Sequence, residues 1–340
     1  MTANIIICDD SAMARKQLRK VLPESWQLNV SFAANGLEAL ELLRQGQGEI
    51  IFLDLNMPVM DGYETLTQIR AENLSALVIV VSGDIQAQAH ERVMALGALA
   101  FIEKPIRKET LAQLMSEFGL DFTAPEEESA SLPEETFDAD DLNGDEALRE
   151  GLQEVSNIAM GRSAALLAKL LQGFVQLPIP KVSLLAANEL RMALSLAQNG
   201  STYSAVCQGF VGANIAGEAL LVFDDSSFHD IASMLNRPQP ESHHDELELL
   251  MDLGSILVGT CIQGIGQQID INFCVSHPLV LGQHLKVESL LNTPRDESLE
   301  TLAVEITFQI ENHNVNCELL LLFTPDSIPT LQQRLNILFS

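Results

Sequence analysis

Five side chains suited to handling a phosphoryl group stand in order along the first third of the chain: Asp9, Asp10, Asp54, Ser82 and Lys104. Each lies at or just beyond the end of a short apolar run: IIIC (5–8), IIFL (50–53), LVIVVS (77–82) and AFI (100–102). Carboxylates brought to one crevice repel one another unless a cation joins them, and an all-oxygen cage suits Mg2+. A lysine beside them can hold a phosphoryl oxygen, and a serine hydroxyl can donate to another. The chemistry this set supports is attack by a carboxylate on a phosphoryl donor, giving an aspartyl phosphate. A single Asp after a strand is often only a helix cap, but capping does not account for all five at strand ends in this order.

The elements that must position them follow from periodicity. The four runs and VSFA (30–33) read as strands, and helical patterns cover 12–22, 36–45, 63–70, 86–96 and 108–118. Continuous β-branched runs alternating with helices make a parallel sheet covered on both faces. Ligands of such sheets gather at the carboxyl ends of the strands, where these residues fall.

This segment resembles the response-regulator receiver domains, of which CheY is a small example, and the resemblance covers about residues 1–120. It implies a doubly wound, five-stranded, flavodoxin-like α/β domain. It implies that Asp54, in LDLNMPVMDG, is the phosphoacceptor and that Asp9 and Asp10 form the acidic pocket. Asp9, Asp10, Asp54 and the backbone carbonyl of Asn56 would then make the Mg2+ site. Ser82 would take the hydroxyl switch position and Phe101 the aromatic one, with Lys104 on the phosphate through a cis Lys104–Pro105 bond. Asn56 and Asp84 would sit where the family tunes self-dephosphorylation. A histidine kinase would be the phosphodonor, and the receiver would catalyse its own phosphorylation.

The remainder of the chain repeats itself. Asn157 is followed by 22 residues and then Pro180, and Ser255 by 22 residues and then Pro278. GEALLVFD (217–224) matches CELLLLFT (317–324), and SSFHDIASMLN (226–236) matches DSIPTLQQRLN (326–336), so the offset is 98 residues at the helix and 100 at the strand. The expectation is an α+β, pseudo-two-fold domain over 147–340, with halves of about 147–240 and 245–340. In a helix from Asp145 to about Gly173, Leu148, Leu152, Val155 and Ala159 form the stripe that packs down. Glu150, Glu154 and Asn157 share another face at i, i+4 and i+7. On one helix that would be an ordinary solvated face, but Glu248, Asp252 and Ser255 hold the same three positions in the second half.

Here the chain resembles the CheC/FliY/CheX phosphatases, whose helices carry acid-x3-Glu-x2-Asn-x22-Pro; Glu150, Glu154, Asn157 and Pro180 fit it. The likeness covers roughly residues 145–340. It implies removal of phosphate from the aspartate of a CheY-like receiver, in cis or in trans. The Asn carboxamide would position a water in line with phosphorus, and the Glu would grip the receiver's lysine. By this likeness Glu154 and Asn157 are catalytic. Asp252, one methylene shorter, and Ser255, which is no amide, mark a degenerate second site. The alternative is a non-catalytic interaction module switched by phosphorylation.

Composition narrows the rest. The formal charge is −28, from 19 basic and 47 acidic residues, which repels phosphate backbones and excludes direct nucleic-acid binding as an expectation. Residues 121–146 hold 11 of the acids and no base, and read as an extended linker. The start, MTANIIICDD, lacks a basic region, and no apolar run reaches the ~18 residues of a membrane span. Five cysteines without CxxC spacing fit reduced thiols, so a cytoplasmic chain with no membrane partner is expected. His243-His244 with Asp245 and Glu246 read as a polar loop, His277 carries little weight, Gly264-Ile265-Gly266 read as helix packing or a helix end, and 184–197 reads as a core helix.

Overall fold

Five parallel strands, β1 (Ala3–Cys8), β2 (Leu28–Ala33), β3 (Ile50–Leu53), β4 (Leu77–Ser82) and β5 (Ala100–Glu103), make the N-terminal sheet in the order β2-β1-β3-β4-β5. The computed structural model describes residues 3–23, 26–120, 144–185, 202–240, 242–285 and 301–339. It divides into two units, Met1–Glu150 and Gly151–Ser340. Between the strands run α1 (Ala12–Val21), α2 (Gly36–Arg44), α3 (Gly62–Ala71), α4 (Ala87–Leu96) and, after β5, α5 (Lys108–Glu117). Period-two alternation decides which face each residue serves. Ile5, Ile7, Phe52 and Ile79 share one core with Leu18 of α1 and with Leu111 and Met115 of α5. Ile6, Leu53 and Val80 share the other with Leu40, Leu66 and Val93 of α2, α3 and α4. The strand order reverses at β1, leaving a crevice beyond the carboxyl ends of β1 and β3.

The second unit is an eight-stranded sheet with its helices. It begins in α6 (Gly144–Leu171), followed by β6 (Val175–Gln176), β7 (Lys181–Leu185), β8 (Tyr203–Gly212), β9 (Ile215–Asp224) and α7 (Ser227–Met234). The same succession then recurs as α8 (His243–Gln268), β10 (Cys274–Val275), β11 (Leu279–Leu285), β12 (Thr301–Ile310), β13 (Asn316–Phe323) and α9 (Ile328–Phe339). At the centre β9 pairs with β13 so that Leu220 faces Leu320, Leu221 faces Leu319 and Ala219 faces Leu321. A pseudo-two-fold axis therefore passes through the Leu220–Leu320 pair. The outer pairings are exchanged: β6 and β7 of the first half pair with β12, while β10 and β11 of the second pair with β8. Neither half can complete its sheet without the other.

The change of offset has a local cause. Cys207 faces Leu220 where Glu305 faces Leu320, so β8 and β12 correspond at 98 residues and β9 and β13 at 100. The β8–β9 hairpin turns on Ala213 and Asn214, both with positive φ (44° and 65°), as a tight two-residue loop requires. Residues 311–314 make the corresponding turn, and the two extra residues are the whole difference.

The two long helices meet closely. A Cβ at Gly264 would lie 2.9 Å from the Cβ of Ala159, and Ser163 Oγ meets Cys261 Sγ at 3.1 Å. α8 is long and apolar enough to cross a membrane, yet most of its apolar stretch is buried inside the fold, as in a core helix packed on β8 and β9. The expected linker, ending at 146, overlaps the helix expected from Asp145; the structure begins α6 at Gly144, so residues 144–146 form its first turn. Asp145 and Glu146 are favoured there because acids complement the exposed N–H groups of a helix start. Residues 121–143 and most of the 184–197 segment lie outside the described residues.

Candidate functional site

Asp9, Asp10 and Asp54 come together at the crevice, with one carboxylate oxygen from each lying within 4.8 Å of the others. The parallel register places Cys8 opposite Leu53, so the residues that follow, Asp9 and Asp54, leave the sheet side by side. Lys104 reaches in from beyond β5, its Nζ 2.8 Å from Asp9 Oδ2 and 3.3 Å from Asp54 Oδ1, and the Lys104–Pro105 bond is cis. Ser82 is fully buried at the end of β4, and its Oγ accepts from the Asp84 N–H at 3.1 Å. The Asn56 N–H donates to Asp54 Oδ2 at 3.0 Å, which fixes that carboxylate's rotation. Phe101 is partly buried and packs edge-on against His90, with ring centres 5.4 Å apart.

The electrostatics carry a net excess of negative charge. Burial, together with the charges of Asp9 and Asp54, pushes the Asp10 carboxyl up to about 7. Burial also pushes Asp54 up to about 6, although Lys104 opposes it. One lysine does not neutralise three converging carboxylates, and their hard oxygen donors fit Mg2+. Asp84 is likewise raised to about 6, mainly by burial.

Arg15 is a residue that the sequence reading missed. Its Nη1 donates to the carbonyls of Asp9 at 2.6 Å and of Asp10 at 3.2 Å, clamping the backbone that carries both acids. The only signal is a basic residue in the first helical turn after an acidic pair, and nothing in spacing alone marks it. Ser11, by contrast, is the N-cap expected after a strand: its Oγ accepts from the Ala14 N–H, and its own N–H donates to Asp9 Oδ1 at 2.9 Å.

In the second unit the two copies of the repeated motif have different surroundings. Leu148, Leu152, Val155 and Ala159 are buried, as the stripe predicts. The polar face is not an ordinary solvated one: Glu154 is 4% exposed and Asn157 6%. Asn157 Oδ1 is buried without a hydrogen-bond donor. The second copy is exposed and engaged locally. Ser255 Oγ donates to its own helix at the Met251 carbonyl, 2.8 Å away, and Asp252 is paired with Arg237 at 3.1 Å.

The His243–Glu246 stretch departs from expectation. It is not a loop: Ser242 caps α8 in a capping box with Asp245, and His243 is the first helical residue. Adjacent histidines do splay apart, and His244 is exposed, but His243 turns toward His284 on β11, with Nδ1 to Nε2 at 2.9 Å. A partner 41 residues away is invisible to local spacing. His277 is exposed, and Gly264 and Gly266 lie inside α8 where a side chain would collide with its neighbours.

Comparison with known proteins assigns the first unit. Residues 5–116 match the response regulator receiver domain family. The chemotaxis protein CheY of Halobacterium salinarum is 27% identical over 117 residues, covering 34% of this chain and 97% of that protein. Protein-glutamate methylesterase/protein-glutamine glutaminase 3 of Rhodospirillum rubrum is 39% identical over 102 residues, covering 30% of this chain but only 28% of that enzyme. Among solved structures, Thermotoga maritima FliY aligns with 56% of this chain and 96% of its own at 17% identity and a TM-score of 0.44, a likeness too weak to carry an argument. The first unit is a receiver domain of two-component signalling.

Proposed function

We propose that this receiver carries an output unit that hydrolyses the aspartyl phosphate of a receiver, either its own or that of a separate CheY-like protein. The observation that carries the reading is the asymmetry of the repeat. Burying an amide oxygen without a donor costs about 1–3 kcal/mol, and Asn157 bears that cost while Ser255 is satisfied by its own helix. A structural helix would shed such a group, whereas a site that must hold a water keeps it.

In the first reaction Asp54 attacks the phosphorus of a phosphohistidine or small phosphodonor, the donor's bond to phosphorus breaks, and the aspartyl phosphate forms. Lys104 holds a phosphoryl oxygen, Ser82 donates to another, and Arg15 and Asn56 keep the acids oriented. Asp9, Asp10, Asp54 and the Asn56 carbonyl would hold Mg2+, which supplies neutralising charge to the phosphoryl oxygens. Phe101 would follow the Ser82 contact as the switch.

In the second reaction a water oxygen attacks phosphorus opposite the Asp54 oxygen. The Asp54 O–P bond breaks, the carboxylate is regenerated, and inorganic phosphate leaves. A carboxamide can accept from and donate to that water without changing charge, so Asn157 positions it while Glu154 engages the receiver's lysine. Positioning of this kind is worth about a hundredfold in rate. Asp252 and Ser255 are assigned no part in the chemistry.

The test is the lifetime of the phosphorylated full-length chain. Loss of phosphate should slow by about a hundredfold in Asn157→Ala and remain unchanged in Ser255→Ala. Equal decay in both variants and the wild type would remove the proposed role of Asn157 on its own receiver.

A further inference from the structure

A second cluster of metal-binding groups lies wholly within the second unit. It joins the start of α8 to the edge strand β11. His243 Nδ1 is 2.9 Å from His284 Nε2, His284 Nε2 is 3.0 Å from Glu246 Oε2, and His243 Nδ1 is 3.6 Å from Glu246 Oε2. A tetrahedral zinc site with ligand distances of ~2.0–2.1 Å has edges of about 3.3 Å. One point at that distance from all three atoms therefore exists without movement of any of them. Glu246 Oε2 is buried against His284, with its free lone pairs turned toward both imidazoles.

The other ring nitrogen of His284 is held as a metal ligand's usually is. Nδ1 lies 2.9 Å from Asp225 Oδ2, and Asp225 Oδ1 in turn accepts from Ser204 Oγ at 2.6 Å. A carboxylate on the far nitrogen fixes the tautomer that leaves the Nε2 lone pair free for a cation. The backbone is bent to deliver this ring: His284 has φ 53°, and the β11–β8 register shifts between Gly282 and Leu285. A non-glycine residue in the left-handed region costs free energy and is kept where something over-determines it.

The pseudo-symmetry shows that the fold does not require this arrangement. At the 98-residue offset the first half has Asp145 and Leu148 in place of His243 and Glu246. The bulges of β11 set Leu285 opposite Tyr203 as Leu185 is set opposite Thr301, so Leu184 takes the place of His284, and at the 100-residue offset Pro325 stands opposite Asp225. No imidazole is present in that set. We propose that His243, Glu246 and His284 form a binding site for a zinc-class divalent cation, with a water in the fourth position and Asp225 orienting His284. The bound ion would tie the first turn of α8 to the bulged edge of the sheet. Imidazole ligands separate this site in preference from the all-carboxylate pocket of the receiver, which suits Mg2+.

The experiment uses the full-length chain in excess Mg2+, so that the receiver pocket is filled. Zn2+ is titrated against a chromophoric chelator, and Co2+ is added in parallel to read its visible absorption. One equivalent of Zn2+ should bind, and Co2+ should give the intense band of a tetrahedral site. His243→Ala, at a ring that is 79% exposed and whose loss should leave the fold intact, should weaken Zn2+ by more than tenfold. Asp225→Asn should weaken it by about 10–100-fold. Asp10→Asn should leave it unchanged, which excludes the receiver pocket as the source. Unchanged Zn2+ affinity in both His243→Ala and His284→Gln, or no Zn2+ retained by the wild type, would overturn the assignment.

Discussion

Removing Mg2+ should make the receiver more stable in mild acid than at neutral pH, the reverse of the usual behaviour of surface carboxylates. The acids responsible are Asp10, raised from 3.8 to about 7, and Asp54, raised from 3.8 to about 6. A raised carboxyl pKa means that the folded state holds a proton that the unfolded chain has released. Between about pH 4 and 7 the native state therefore binds more protons, and stability falls as pH rises. For Asp10 alone the product (7 − 3.8) × 1.36 is on the order of 4 kcal/mol as an upper bound. Asp10, Asp9 and Asp54 share the same field, and Asp10 is only partly buried, so about half, on the order of 2 kcal/mol, is expected. In a domain of this size that moves the melting point by on the order of 8 °C. The assay is thermal unfolding of the full-length chain in a chelator at about pH 5 and about pH 7.5, following the receiver's transition. Mg2+ at the higher pH should restore the loss, and Asp10→Asn should remove most of the slope. Stability that rises with pH in the chelator, or an unchanged slope in Asp10→Asn, would refute the reasoning.

Three further outcomes follow from named contacts. Arg15→Ala frees the Asp9 and Asp10 carbonyls and should cost about 1.5–3 kcal/mol in receiver stability, read by denaturant unfolding, with weaker Mg2+ binding. In Gly62→Val the new Cβ would lie 2.3 Å from the Asp54 carbonyl oxygen and 2.8 Å from Leu55 Cα, both backbone atoms that cannot swing aside. That substitution should cost about 1–3 kcal/mol and slow phosphorylation by a small-molecule phosphodonor. Gly264→Leu would press α8 away from Ala159 of α6 and should destabilise the second unit by a similar amount, seen as a lower melting point of its own transition.

How much of this was legible in the sequence depends on the range of the signal. The receiver strands and helices are local patterns, and each ends within one or two residues of its predicted bound, because buried β-branched runs and capping residues such as Ser11 and Asp61 act on their neighbours. The pseudo-two-fold was legible because repetition makes a long-range relation visible as an offset. Its exchanged outer strands were not, since nothing in VQ (175–176) or KVSLL (181–185) says that their partner lies in the other half. The burial of Glu154 and Asn157 was missed for a related reason: a polar residue at helical spacing carries no mark of what covers it. Arg15 and the His243–His284 pair depend on one side chain's reach and on a bulged strand, neither of which leaves a periodic trace.

The central claim is that the Asn157 amide accelerates loss of phosphate from a receiver. It is tested most directly by separating substrate from enzyme. The full-length Asp54→Asn protein, which cannot carry its own phosphate, would be added in catalytic amount to two phosphorylated substrates: the full-length Asn157→Ala chain and a stand-alone CheY-like receiver. Phosphate release should accelerate by about a hundredfold from at least one of them, and the Asp54→Asn/Asn157→Ala double variant should abolish the effect. Release that is unaltered from both substrates, or accelerated equally by the double variant, would contradict it.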